Sequence, residues 1–148
     1  MHSPFNGVNH VGYVVTDLDQ AIAFAVDILG FELVPERAGF LRDDSGDLMT
    51  RRFGVPAPAT AEFRFVRAGD APIEFLAWSA PDQMSTPARN CDVAGRHLAV
   101  NVTDMPAALE RIRTVAGVEI REPNERGYIY VRTPFGLEVQ LIPVSGGA

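Results

Sequence analysis

Cysteine is all but missing from this 148-residue chain: Cys91 stands alone, so no intrachain disulfide can form, which fits a reducing cytoplasm. Positive charge is also scarce. Thirteen Lys and Arg face 19 Asp and Glu, giving a net charge of −6 and a pI near 5.0. Arg51-Arg52 is the one adjacent basic pair, too small to track a phosphate backbone. That balance argues against a nucleic-acid or anionic-membrane partner. No apolar run approaches the ~20 residues that span a bilayer. The N-terminus lacks a charged-then-apolar leader pattern, so a cytoplasmic protein is expected. The remainder, 47% hydrophobic and 22% charged, suits one globular domain spanning 1–148 with a core of its own.

What the chain does have is an internal repeat. Val8-Asn9-His10-Val11-Gly12-Tyr13-Val14-Val15-Thr16-Asp17 is answered by Gly95-Arg96-His97-Leu98-Ala99-Val100-Asn101-Val102-Thr103-Asp104, with an offset of 87 (97 minus 10). Each copy is an apolar run with one early histidine, then Thr-Asp, then a helical pattern. Asp17 and Asp104 are placed to cap the helices. Leu18, Ile22, Ala25, Ile28 and Leu29 form an apolar stripe in the first, stopped by Gly30; Leu109, Ile112 and Val115 do so in the second, stopped by Gly117.

Strand patterns fill the remainder. The first half offers 8–15, a strand opening at Phe31–Val34, Thr60–Arg67 and Ile73–Trp78; the second offers 96–102, 118–122, 127–133 and 137–142. Residues 41–58 read as an irregular insertion, with a turn at Asp43-Asp44-Ser45-Gly46 and a turn or two of helix at Leu48–Phe53. It is either a lid or a plain surface excursion. The expected architecture is α+β, two tandem βαβββ modules (about 8–79 and 95–143) forming a curved sheet around a central cleft.

Alternation along the first strand puts His10, Gly12 and Val14 on one face, opposite Val11, Tyr13 and Val15. The helices should cover the faces carrying Val11 and Val15 in one half, and Leu98, Val100 and Val102 in the other. Repeat symmetry then asks for partners of the two histidines on the last strand of each half. There Ile73-Glu74-Phe75-Leu76 matches Val139-Gln140-Leu141-Ile142. The symmetric constellation is His10, Glu74, His97 and Gln140. Two imidazoles, a carboxylate and an amide oxygen suit a divalent ion with mixed N/O preference, such as Ni, Co, Fe, Mn or Zn. The alternative is a hydrogen-bonded Glu74–Gln140 pair in a wet cleft. Leu76, Trp78, Phe53, Tyr128 and Tyr130 are candidates for an apolar pocket, and Arg64 and Arg96 for binding a carboxylate or phosphate.

On these residues, and on Pro134-Phe135-Gly136-Leu137-Glu138-Val139-Gln140-Leu141, the chain resembles the vicinal oxygen chelate superfamily over nearly its whole length. That group includes lactoylglutathione lyase, methylmalonyl-CoA epimerase, extradiol dioxygenases, fosfomycin-modifying enzymes and bleomycin-binding proteins. The resemblance implies paired βαβββ modules around a metal cleft, a homodimer and a small-molecule substrate. It also implies a usual last ligand of Glu four residues after the glycine matched by Gly136, where this chain has Gln140. Glu138 lies on the same strand face, ~6.5–7 Å away by strand rise. Three arrangements follow, in order of preference: Gln140 binds through its amide oxygen, the strand shifts and Glu138 binds, or the site is empty.

The activity that best suits this set is a metal-dependent lyase or isomerase reaction of lactoylglutathione lyase or epimerase type. It is a proton transfer next to a carbonyl through an enediolate that the divalent ion stabilises. Glu74 is the first candidate for the proton-transferring carboxylate and Glu138 the second, since Gln140 has no titratable group. The rival readings are a metal-free small-molecule or antibiotic-binding protein and an iron-dependent extradiol-type dioxygenase.

Overall fold

The computed structural model describes residues 4–43 and 47–145. Of the expected turn at Asp43-Asp44-Ser45-Gly46, residues 44–46 lie outside the described residues. The chain divides into two compact units, the first ending at Gln83 and the second beginning at Met84. Each carries one four-stranded mixed sheet.

In the first unit β1 (Val11–Val14) leads into helix α1 (Leu18–Ala23), continued by a π-helical stretch Phe24–Ile28. Strand β2 (Glu32–Asp43), helix α2 (Leu48–Phe53), β3 (Ala59–Ala68) and β4 (Ala71–Ser79) complete it. The sheet order is β1-β4-β3-β2, with β1 parallel to β4 and the other pairs antiparallel. The order is the βαβββ pattern expected from the repeat. Asp17 caps α1 by accepting from the Gln20 backbone N–H at 2.9 Å.

The apolar stripe of this helix departs from simple 3.6-residue spacing. Leu18, Ala21, Ile22, Phe24 and Ala25 are the buried residues, while Ile28 and Leu29 are only half-buried. The π turn, closed by Leu29 N–H donating to Phe24 O at 3.0 Å, fits an extra residue into the turn and brings Phe24 inward. The helix lies against β3 and β4, the central strands. Tyr13 and Val15 are accordingly buried, but Val11, at the start of the edge strand, remains 48% exposed, unlike the expected fully covered face. Val66, Ile73 and Phe75 complete the helix-side core. Trimming Phe75 to Ala there would cost about 3–5 kcal/mol.

The second unit repeats the order with β5 (Leu98–Val102), α3 (Met105–Arg113), β6 (Glu119–Ile120), β7 (Ile129–Arg132) and β8 (Glu138–Pro143), paired β5-β8-β7-β6. Asp104 caps α3 by accepting from Ala107 N–H at 3.0 Å, and Pro106 falls in the first turn, where no N–H is needed. Val131, Val139 and Leu141 share one face of this sheet by register and are fully buried. Among the described residues no helix is long and apolar enough to cross a membrane.

Candidate active site

In the first unit the face of the sheet opposite α1 is set by the parallel register of β1 and β4. Gly12 pairs with Glu74, and on the other side Glu74 pairs with Phe65. Side chains of paired residues point the same way, so His10, Gly12, Phe65 and Glu74 share this open face. His10 Nε2 stands 3.3 Å from Glu74 Oε2, with the two side chains 34% and 17% exposed. The ring of His10 meets Phe65 edge-on at 5.0 Å, and its Nδ1 lies 2.7 Å from Asn9 Oδ1. That contact orients the ring so that Nε2 faces the carboxylate. Gly12 lies under the pair: a Cβ there would stand 3.4 Å from both Glu74 Oε2 and Leu76 Cδ1. The glycine leaves the carboxylate room to reach the imidazole.

Farther along this face, Leu76 and Trp78 follow Glu74 on alternate positions of β4. The insertion turns back here. Met49 is buried, its backbone N–H donates to Asp43 at 3.1 Å, and Phe53 packs edge-on against Trp78 at 5.8 Å. Helix α2 is thus seated on the sheet at Trp78.

The second unit builds the equivalent arrangement. Ala99 pairs with Gln140 and Gln140 with Tyr130, so His97, Tyr130 and Gln140 share the face opposite Val139 and Leu141. The His97 ring meets Tyr130 edge-on at 5.4 Å. Histidine, aromatic ring and polar last-strand residue therefore recur as His10, Phe65, Glu74 and as His97, Tyr130, Gln140. Among the described residues no group of three or more His, Cys, Asp or Glu side chains is placed to hold a metal ion. Of the expected donor set, His10 and Glu74 stand together in the first unit, and His97 and Gln140 share one face of the second.

Glu138 is on the same face as Gln140, but its carboxylate is engaged. Oε1 accepts from Arg121 Nη1 at 3.0 Å and from Asn90 Nδ2 at 3.3 Å. Arg64, considered for anion binding, lies on the helix side beside Val66. It is held by Asp19 and Glu62, both at 2.7 Å, and those hydrogen bonds, Glu62 first, raise its pKa further. Arg96 and Tyr128 are exposed and half-buried respectively.

Sequence reading missed Arg37. Strand β2 pairs Val34 with Phe65 and then Ala38 with Arg64, so residues 35–37 bulge out of the ladder. Pro35 supplies the reason, having no N–H to donate, and β2 is an edge strand, where such a bulge is tolerated. The bulge turns Arg37 over the Phe65 ring, with Cζ 3.7 Å from the centroid. A proline three residues into the strand, followed by Glu36 and Arg37, was the available signal.

The sequence profile described as the Glyoxalase/Bleomycin resistance protein/Dioxygenase superfamily matches residues 9–128, a span that includes His10, Glu74 and His97 and stops short of β8. The chain belongs to that superfamily. It is 37% identical over 151 aligned residues to a 2-epi-5-epi-valiolone epimerase from an Actinomyces species, covering 95% of this chain and 81% of the relative. Among solved structures, a glyoxalase family protein from Bacillus cereus has a TM-score of 0.73 at 21% identity, covering 98% of this chain and 100% of that one. The fosfomycin resistance protein FosX of Listeria monocytogenes, solved with Mn(II) and sulfate, has a TM-score of 0.61 at 16% identity, covering 96% of this chain and 93% of that one. At such identities the two structures speak for the fold.

Proposed function

We propose that this protein is an epimerase of a polyhydroxylated cyclic ketone, inverting a carbon next to the carbonyl by proton removal and return. The observation that carries the reading is the 37% identity to an epimerase of such a ketone along 95% of the chain. The half-buried His10–Glu74 pair on the open face supplies a group able to do the work.

Only a C–H bond adjacent to the carbonyl is acidic enough for a carboxylate to break, because the electron pair left behind delocalises onto the carbonyl oxygen. The Glu74 carboxylate, released from any ion it would hold, accepts that proton, and His10 Nε2, 3.3 Å from its Oε2, holds it in place. Water then protonates the opposite face of the planar enolate, and the hydroxide left takes the proton held by Glu74, which gives the epimer and restores the carboxylate. Glu138 stands second for this role, since Arg121 and Asn90 already occupy its Oε1.

The donor types expected from the sequence, His10 and Glu74 in the first unit and His97 and Gln140 in the second, are those a divalent ion (Ni, Co, Zn, Mn or Fe) takes. Ligand bonds of ~2.1 Å put neighbouring donor atoms about 3.0–3.4 Å apart, and the His10–Glu74 separation falls in that interval. When bound, such an ion supplies Lewis acidity to a substrate oxygen. The homodimer implied by the resemblance is part of the same reading.

Incubation of the purified protein with 2-epi-5-epi-valiolone, followed by proton NMR of the product, tests the proposal. Appearance of a single new diastereomer at the carbon beside the carbonyl is expected. Recovery of unchanged ketone, with the protein folded and supplied with Mn(II), Co(II), Ni(II), Zn(II) and Fe(II) in turn, would overturn it.

A further inference from the structure

Arg37 has an unusual setting for an arginine of this chain. Arg64, Arg67, Arg89 and Arg121 each hold a carboxylate within 3.1 Å. Arg37 is half-buried and its described contact is the Phe65 ring; among the described residues it has no ion pair. Phe65 also carries the edge-on ring of His10. The two separations, 3.7 and 5.0 Å, together bound the distance from the guanidinium carbon to the imidazole centre at 8.7 Å.

The fixed placement matters more than the charge. A guanidinium stacked on an aromatic face is pre-organised, and its N–H groups, which point along the plane and away from the ring, remain available as a fork of donors. Such a fork matches a pair of neighbouring oxygens, on one atom in a carboxylate or phosphate and on adjacent carbons in a vicinal diol. The bound of 8.7 Å puts the Arg37 guanidinium and the His10 ring within reach of one small ligand.

We infer that Arg37 is a specificity-determining residue, donating its N–H fork to a pair of oxygens on the ligand whose reacting carbon lies at His10 and Glu74. The inference rests on the epimerase reading for the identity of the reacting carbon, but not for the contact itself. The proline bulge in β2 is then the device that delivers the donor to the open face.

The test is binding by calorimetry of 2-epi-5-epi-valiolone, as a neutral polyol, and of inorganic phosphate, as an anion. Wild type and the variants Arg37→Gln and Arg37→Lys are compared, with circular dichroism to check folding. At least a tenfold weaker Kd for the polyol in Arg37→Gln is expected, with partial recovery in Arg37→Lys, which keeps the charge and loses the fork. Loss for the polyol identifies a diol clamp; loss for phosphate alone identifies an anion site apart from the reacting ligand and overturns the inference. Equal affinities in wild type and Arg37→Gln for both probes, or no binding of either to wild type, would overturn the inference. Binding that depends on Arg37 without epimerisation would sink the proposed reaction and leave the contact standing.

Discussion

His10 Nε2 and Glu74 Oε2 lie 3.3 Å apart across two parallel strands, brought there by the pairing of Gly12 with Glu74. The residues are 64 positions apart in the chain, and the contact exists because the βαβββ order places the first strand of the unit beside the last. The proposed proton transfer rests on this carboxylate held beside an imidazole, their side chains 34% and 17% exposed respectively for His10 and Glu74.

Replacing Glu74 with Gln keeps the shape and removes the titratable oxygen. Epimerisation should fall by ~10²–10⁴-fold, the usual worth of a positioned base, with thermal stability changed little. Steady-state kinetics beside a thermal melt separates the two effects.

Gly12→Val should disable the site from beneath. The position tolerates a Cβ only at contact distance from Glu74 Oε2 and Leu76 Cδ1, both 3.4 Å, and valine adds two further methyl groups. The expected result is a turnover loss of at least tenfold, with a stability cost of ~1–3 kcal/mol from overpacking. Wild-type kinetics in this variant would mean that the carboxylate position is not critical.

The metal reading makes separate demands. His97→Ala should abolish the stoichiometric divalent ion measured by elemental analysis of protein purified without chelators. Gln140→Glu should tighten binding if the amide oxygen is a ligand, because a charged oxygen replaces a neutral one. One ion per chain retained in His97→Ala would count against the set.

The loop before His97 provides a stability test. A Cβ on Gly95 would stand 2.8 and 2.9 Å from the backbone oxygens of Asp92 and Asn90, which cannot swing aside as a side chain can. Gly95→Ala should therefore destabilise the second unit by ~1–3 kcal/mol, read as a lowered unfolding midpoint.

In the same loop Asp92 is held below the ordinary carboxylate range, first by its side-chain hydrogen bond from Arg89 and next by the Arg89 backbone N–H. A depressed carboxylate contributes stability above its unfolded pKa of ~3.9 and loses it as pH falls through the folded value. Arg89→Gln should thus narrow its stability gap from wild type as pH drops below about 4. Thermal melts from pH 7 to pH 2 follow the gap; a constant difference would contradict this assignment.

Much of the fold was legible because its repeat is written twice in the same order. The capping aspartates, the strand alternation that pairs His10 with Glu74, and the equivalent positions of His97 and Gln140 all follow from period-2 and period-3.6 patterns. Three features were not. The π turn at Phe24–Ile28 depends on packing against β3 and β4, which no local pattern records. The half-burial of Glu138 by Arg121 and Asn90 arises from segments 17 and 48 residues away. Arg37 reaches the open face through a bulge whose register belongs to the partner strand.

The most direct test of the central claim is exchange of the substrate's own hydrogen. In D2O, wild-type protein with 2-epi-5-epi-valiolone should replace the proton beside the carbonyl with deuterium as the epimer forms, and Glu74→Gln should do neither. Epimer formed without deuterium in the presence of solvent-exchangeable Glu74, or full exchange in Glu74→Gln, would contradict proton transfer by this carboxylate.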